Sequence, residues 1–414
     1  MALPSKQEVD DLVKQLTEAA NAYDASPSLD AYLGRANIIS KAKELQRALI
    51  TPEMSPNYLA LNLAEALAIR TFMRLKIFDA IPETGGISIE DLSKATGAQE
   101  SLLERISRIL VGTSFLSQPD ANVLYYHHTK TSLAYRITPG TPAGDFFATL
   151  YDFWFKKAYN LDEYFVAHDQ LTSAQEPADP LHNPFTWSSK QEGTHVFQII
   201  ASKPEDLAQF QRGMLGIDVA IPTTGHFDFS VLANSPGNNE KGVVELVDVG
   251  GGHGKVLSQI LAAHKELSPK NTVLQEMPEV AELARTNGVL PEGVRVEAHD
   301  FLTPETIKGA KAYFMRMIMH DYNDPVATHI LKNVASAMDS NSRVLICDMV
   351  LPQKVGEADF AAAVMDQCVM TMGGKERTEL GFRKIFEAAG LELVKVWRAP
   401  GVPGGCVEGR LKRE

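Results

Sequence analysis

Residues 243–254 read VVELVDVGGGHG. The apolar run 243–249, with Asp248 near its end, has the length and content of a parallel strand buried on both faces. It breaks into Gly250, Gly251, Gly252, His253 and Gly254, after which KVLSQILAAH (255–264) carries apolar residues at helical spacing. Glycines allow a sharp turn and let a ligand approach the backbone, so strand, glycine turn and helix start together form a nucleotide-binding pattern. A second short strand, 272–275, ends at Glu276 in VLQEMPEV. An acidic residue there is placed to hold both ribose hydroxyls of an adenosine ligand. The spacing G-x-G-x-x-G is not met, because Lys255 stands at the sixth place, and no G-x-x-x-x-G-K-[ST] follows. The pattern points to a small adenosine ligand without a phosphate tail.

Beyond this stretch, strands are expected at 294–297, 311–317, 342–348 and 391–397, alternating with helices at 278–286, 325–338 and 378–389. Alternation of this kind means a parallel, doubly wound α/β sheet whose ligands bind at the carboxyl ends of the strands. The 414 residues suffice for two domains, and 44% hydrophobic with 22% charged residues is ordinary for a soluble globular protein. The net charge of −12 argues against nucleic acid or an anionic membrane as the main partner. Three widely spaced cysteines, Cys347, Cys368 and Cys406, make neither a disulfide framework nor a zinc ribbon and suit a reducing compartment. With no signal-like start and no apolar run of 18 residues, the protein is expected in the cytoplasm.

The N-terminal half reads as mostly helical. Val9, Leu12, Val13, Leu16 and Ala19 stripe one helix over 6–22, and another follows the turn at Ser26-Pro27 over about 29–49. With no core of their own to close, these two are expected to pack on a partner chain. A helical stretch at 58–75, a capping-box-like start at Ser88, a helix over 99–111 and a hairpin over 115–128 form a winged-helix pattern. Its helix sets Arg105 and Arg108 against Glu100 and Glu104, a poor phosphate-binding face, so a dimerisation module is the better reading. The aromatic-rich stretch from Phe146 to Phe210 is either core or pocket. A linker is expected within 175–190, where prolines cluster, and the Ser/Pro/Asn/Gly run at 235–240 reads as a loop. The expected division is 1–180 and 181–414.

Six motifs then follow in order: DVGGGHG (248–254), LQEMPEV (274–280), EAHDF (297–301), MRMIMHDYND (315–324), CDMVLP (347–352) and GGKERTE (373–379). In this register the chain resembles the S-adenosylmethionine-dependent O-methyltransferases of the caffeate and flavonoid type, fungal polyketide enzymes in particular. The resemblance implies a Rossmann-like methyltransferase domain behind an N-terminal winged-helix dimerisation domain, a homodimer, and S-adenosylmethionine as cofactor. It places the cofactor on Gly250, Gly252, Glu276, Asp300, Phe301 and Arg316. His299 stands where relatives have glycine, and Arg316 where plant relatives have lysine. Phe210 and Met214 match positions that line the acceptor site. Met319, Met365 and Met372 belong to a methionine-rich set that is either a soft acceptor cavity or simply core.

His320 follows a strand-like segment, where a base of near-neutral pKa suits the deprotonation of a phenol. By the resemblance, Asp348 and Glu376 flank this base, although many relatives have glutamate at the first position. Asp321 reads as a helix-start residue. No metal is implied, since no ligand spacing is present. The expected activity is methylation of a phenolic or enolic hydroxyl on a small natural product. The alternative, also known among fungal proteins of this type, is a dehydratase or pericyclase that keeps the cofactor and transfers no methyl group.

Overall fold

The computed structural model describes residues 3–26, 28–158, 160–219, 221–233, 243–398, 402 and 404–412. The turn residue Pro27 and the run 235–240 lie outside them. The chain divides into two compact units: one comprises 1–23, 38–159 and 197–217, the other 24–37, 160–196 and 218–414.

The first unit is helical, as its apolar spacing requires. Lys6–Asn21 opens on a capping box at Ser5 and buries no residue. Ser55–Arg74 buries Ile69, Phe72 and Met73 on one face. Its Leu59, Leu63 and Leu67, spaced by four, stay 58%, 46% and 55% exposed. Ser88 caps Ile89–Thr96, Gly97 ends that helix in the left-handed region, and Glu100–Gly112 follows. Strands Gly86–Ser88, Leu116–Ser117 and Tyr125–His128 pair antiparallel into a small sheet, which gives the expected wing. Helix Pro204–Leu215 meets Pro142–Thr149 at Gly213, where a Cβ would come within 2.1 Å of Thr149 Oγ1. Arg70, Arg74, Lys156 and Gln209 converge on the half-buried Asp152. Burial works against that carboxylate's charge, but hydrogen bonds from Arg70, Lys156 and Gln209 hold it well below the usual carboxylate range.

The second unit is built on one sheet. Its strands are β1 (Leu246–Val249), β2 (Thr272–Glu276), β3 (Arg295–Ala298), β4 (Ala312–Arg316) and β5 (Arg343–Leu351), followed by β6 (Arg377–Thr378), β7 (Leu391–Arg398) and β8 (Gly404–Leu411). The spatial order is β7-β8-β5-β4-β1-β2-β3, with β6 paired to the end of β5. Helices Lys255–Ala263, Pro278–Thr286, Asp324–Ala335 and Glu379–Ala388 fall between the strands as the alternation predicts. Val247, Tyr313, Ile330, Ile346 and Phe386 lie in its main core. Each such residue contributes about 1.5–3 kcal/mol by leaving water.

The sheet departs from the all-parallel expectation in one strand. β8 inserts between β5 and β7 and runs antiparallel to both. Its sequence GGCVEGRL hides the strand, because glycines and a glutamate disguise a segment whose first six residues are buried. Glu408 is tolerated there because Trp397 Nε1, Arg343 and Arg410 all donate to it. The stretch read as a linker at 175–190 also differs. Asn183 caps a short helix, Pro184–Ser188, and Pro184, Phe185 and Thr186 are buried within the second unit. No described helix is long and apolar enough to cross a membrane. Cys347, Cys368 and Cys406 are buried and unlinked.

Candidate active site

The glycine turn is shaped by its backbone. Gly250 and Gly252 have φ of 72° and 57°, and the amides of Gly250 and Gly251 both donate to the Gln275 carbonyl at the tip of β2. A Cβ on Gly251 would stand 2.4 Å from Asp248 Oδ2, and one on Gly250 would press on Ile318 and Phe301. At Gly252, by contrast, a Cβ would enter open space. Glu276, ending β2, accepts from the Gly252 amide at 3.1 Å and from its neighbour Met277 at 2.7 Å. Asp248 Oδ2 is buried without a hydrogen-bond partner. Burial, reinforced by the charge of Glu276 and opposed by Arg316, raises Asp248 to about 7.

Asp300 closes the turn after β3, accepting from the Leu302 amide at 2.9 Å. Phe301 stacks edge-on against Tyr322 at 5.9 Å. Tyr322 is raised above its ordinary pKa by burial and then by the charges of Asp321, Asp300 and Glu276. Arg316, the last residue of β4, donates to the Ile221 carbonyl at 2.5 Å. The six residues expected to hold the cofactor thus lie at the carboxyl ends of β1, β2, β3 and β4.

His320 sits in the short helical turn Met319–Asp321 after β4 and is 5% exposed. Its Nδ1 is 2.7 Å from Glu376 Oε1, while Nε2 is 3.5 Å from Asp321 Oδ1. Burial alone would lower the imidazolium pKa. The charges of Glu376, Asp321 and Asp348 reverse that and raise His320 to about 10. Burial raises Glu376 and Asp321 as well, against the pull of His320. Asp348 is placed differently from Glu376. Its Oδ1 accepts from the Met317 amide at 2.9 Å, and Met317 has φ of 58°, a left-handed conformation that an unbranched side chain tolerates poorly. The shorter acid therefore holds the backbone bend that leads to His320, and its charge reaches the ring through space.

The 373–379 motif clamps the same turn. A Cβ on Gly374 would lie 2.3 Å from the His320 carbonyl oxygen, and the Lys375 amide donates to that oxygen at 2.7 Å. Arg377, buried beside Glu376, donates to the carbonyls of Met319 and Tyr322, both at 2.7 Å, and to Asp324 at 2.9 Å. Asn183 Nδ2 and the Phe185 amide in turn hold the carbonyls of Met372 and Thr371.

Two residues here escaped the sequence reading. Arg377 is one; it follows Glu376 in the motif, and a cation adjoining an acid expected to flank the base is a usable signal. Asp321 is a correction: Asn323 caps helix Asp324–Ala335, leaving Asp321 beside the imidazole. Among the methionines, Met319 is fully buried in the main core, whereas Met365 and Met372 are 6% and 7% exposed and lie on or just after helix Phe360–Met370. Phe210 and Met214 belong to the first unit, where Phe210 stacks among Phe153, Trp154 and Phe197.

Comparison with known proteins follows this geometry. The family profile described as O-methyltransferase domain matches residues 179–392, and that described as O-methyltransferase dimerisation domain matches 59–136. Methyltransferase cfoD of Aspergillus candidus is 30% identical over 420 residues, covering 98% of this chain and 99% of that protein. The crystal structure of OxaC in complex with SAH and oxaline is similar with a TM-score of 0.82 at 25% identity, over 98% of this chain and 100% of that one. A structure described as a pericyclic reaction enzyme shares the fold, with a TM-score of 0.77 at 22% identity over 99% and 100% of the two chains. The chain belongs to the O-methyltransferase family, enzymes that use S-adenosylmethionine and carry their catalytic domain behind a dimerisation domain.

Proposed function

We propose that the protein methylates a phenolic or enolic hydroxyl of a small natural product, with His320 as the general base. The contact that carries this reading is His320 Nδ1 to Glu376 Oε1 at 2.7 Å. A carboxylate on Nδ1 fixes the tautomer and leaves Nε2 to take the acceptor's proton. Asp348 acts as a positioning residue through the Met317 amide, and Arg377 holds the turn.

The residues present fit S-adenosylmethionine. Gly252 leaves open space beside its backbone, Glu276 supplies a carboxylate at the tip of β2, and the partnerless Asp248 Oδ2 suits a ligand bearing positive charge. Gly250 and Gly252 would admit the methionine end, Glu276 the ribose, Asp300 and Phe301 the adenine, with Arg316 bracing this side. When bound, the cofactor supplies an electrophilic methyl group on sulfur. The chain's own part is to remove the acceptor's proton, keep the imidazole oriented and exclude water. Within the second unit, Met365 and Met372 are assigned to the acceptor side, and Met319 to the core. The division at 1–180 and 181–414 is retained as a working proposal, supported by the two profiles, and so is a homodimer, supported by the exposed Leu59, Leu63 and Leu67 stripe.

One observation favours a second reading. An imidazole raised to about 10 rests as imidazolium, a hydrogen-bond donor able to polarise a carbonyl without methyl transfer. The deciding experiment incubates wild-type and His320→Ala proteins with methyl-labelled S-adenosylmethionine and a panel of phenolic polyketides, following label and product mass. Label reaching an acceptor, and falling about 10²–10⁴-fold in the variant, supports the base. Rearranged or dehydrated products without label would support the donor reading instead.

A further inference from the structure

At the carboxyl ends of β2 and β3, three buried polar side chains meet. Gln275 is fully buried, and its Nε2 donates to Glu305 Oε1 at 2.9 Å and to Thr306 Oγ1 at 3.3 Å, which fixes the orientation of the amide. Glu305 Oε1 also accepts from the Ile307 amide at 2.7 Å. His299 Nε2 lies 3.8 Å from the other oxygen of Glu305, too far for a direct hydrogen bond, and the two side chains are 5% and 1% exposed. Gln275 Oε1, His299 Nε2 and Glu305 Oε2 are left buried without a hydrogen-bond partner. Two of these atoms are acceptors, and the ring nitrogen is a donor when it carries the proton. One water complements that set by giving two hydrogens and accepting one, and about three bonds is what a buried water makes. The cluster is tied to the cofactor residues on both sides. The Gln275 carbonyl receives the Gly250 and Gly251 amides, and the His299 amide donates to the Glu276 carbonyl at 2.8 Å. Asp300 and Phe301 follow His299 directly.

We propose that Gln275, His299 and Glu305 share one bound water, and that this joint holds the turn at Asp300 and Phe301 against β2 so that the cofactor's base is recognised. His299 and Glu305 are positioning residues, acting through the turn. The inference rests on the placement of the adenine at Asp300 and Phe301, and it concerns binding alone.

The test measures binding of S-adenosylhomocysteine and S-inosylhomocysteine by calorimetry. The two differ at the base, where an amino group becomes a carbonyl oxygen, and a carboxylate accepts from the first and repels the second. Wild type should prefer adenine by at least about tenfold. Asp300→Asn, which can donate as well as accept, should lose most of that preference. His299→Phe keeps a ring and removes Nε2, while Glu305→Gln keeps an oxygen for the Gln275 and Ile307 donors and removes the charge. Each should cut the base preference about threefold to tenfold. The double variant should lose no more than the worse single one, because both residues act through the same water. These ratios are taken on folded protein, so a variant that is merely less stable does not move them. His299→Phe alone suffices should Glu305→Gln fail to fold. A base preference that survives both single variants, or losses that multiply in the double variant, would overturn the joint while leaving Asp300 its role. Equal binding of the two ligands by wild type, or undiminished discrimination by Asp300→Asn, would overturn the adenine placement and the joint with it.

Discussion

The two ends of the site are built on opposite principles. The glycine end is made of backbone: the turn after β1, two amides on the Gln275 carbonyl and one on Glu276, all from residues within about thirty positions of one another. The histidine end is made of buried charge drawn from distant places, with His320, Asp321, Asp348, Glu376 and Arg377 delivered by three segments. A backbone cradle tolerates change wherever space is open, whereas a buried charge cluster does not, since removing one member leaves another uncompensated.

Replacing His320 with alanine should break the comparison most strongly, costing about 10²–10⁴ in methyl transfer while cofactor binding, measured by calorimetry, changes little. Arg377→Met comes next. It leaves the Met319 and Tyr322 carbonyls without their donor, and urea unfolding should show a loss of about 3–5 kcal/mol. Gly252→Ala probes the other end. Alanine at φ of 57° is strained by about 1–2 kcal/mol and its methyl enters the open cradle, so cofactor Kd should rise about tenfold with the pH profile unchanged. Leu63→Glu, outside both ends, should shift sedimentation toward monomer.

The same contrast explains what could be read from the chain. The glycine cradle is local, so a strand breaking into glycines, followed by an acid at the tip of the next strand, points to it in the sequence. The parallel pairing of β1 to β5 also followed from alternation, while β8 stayed hidden because its buried positions include glycines and Glu408, whose donor Arg343 lies 65 residues away. At the histidine end, residue types were legible and contacts were not. Asp348 and Glu376 were both expected to flank the base, with Asp348 the shorter of the two; it holds a backbone amide, whereas Glu376, longer by one methylene, meets the ring. Asp321 was hidden by its resemblance to a helix start, a role that Asn323 already fills.

The most direct test of the central claim is the pH dependence of methyl transfer in wild type and Glu376→Gln. A base must be neutral to accept a proton, and its pKa is raised to about 10 chiefly by the Glu376 charge set against burial. Wild-type rates should therefore climb on the alkaline side toward that value. Removing the carboxylate charge lowers the histidine pKa, so the rising limb of Glu376→Gln should shift to lower pH by at least about one unit, with a reduced plateau. A limb that does not move, or a rate that falls as His320 loses its proton, would contradict a general base at this position.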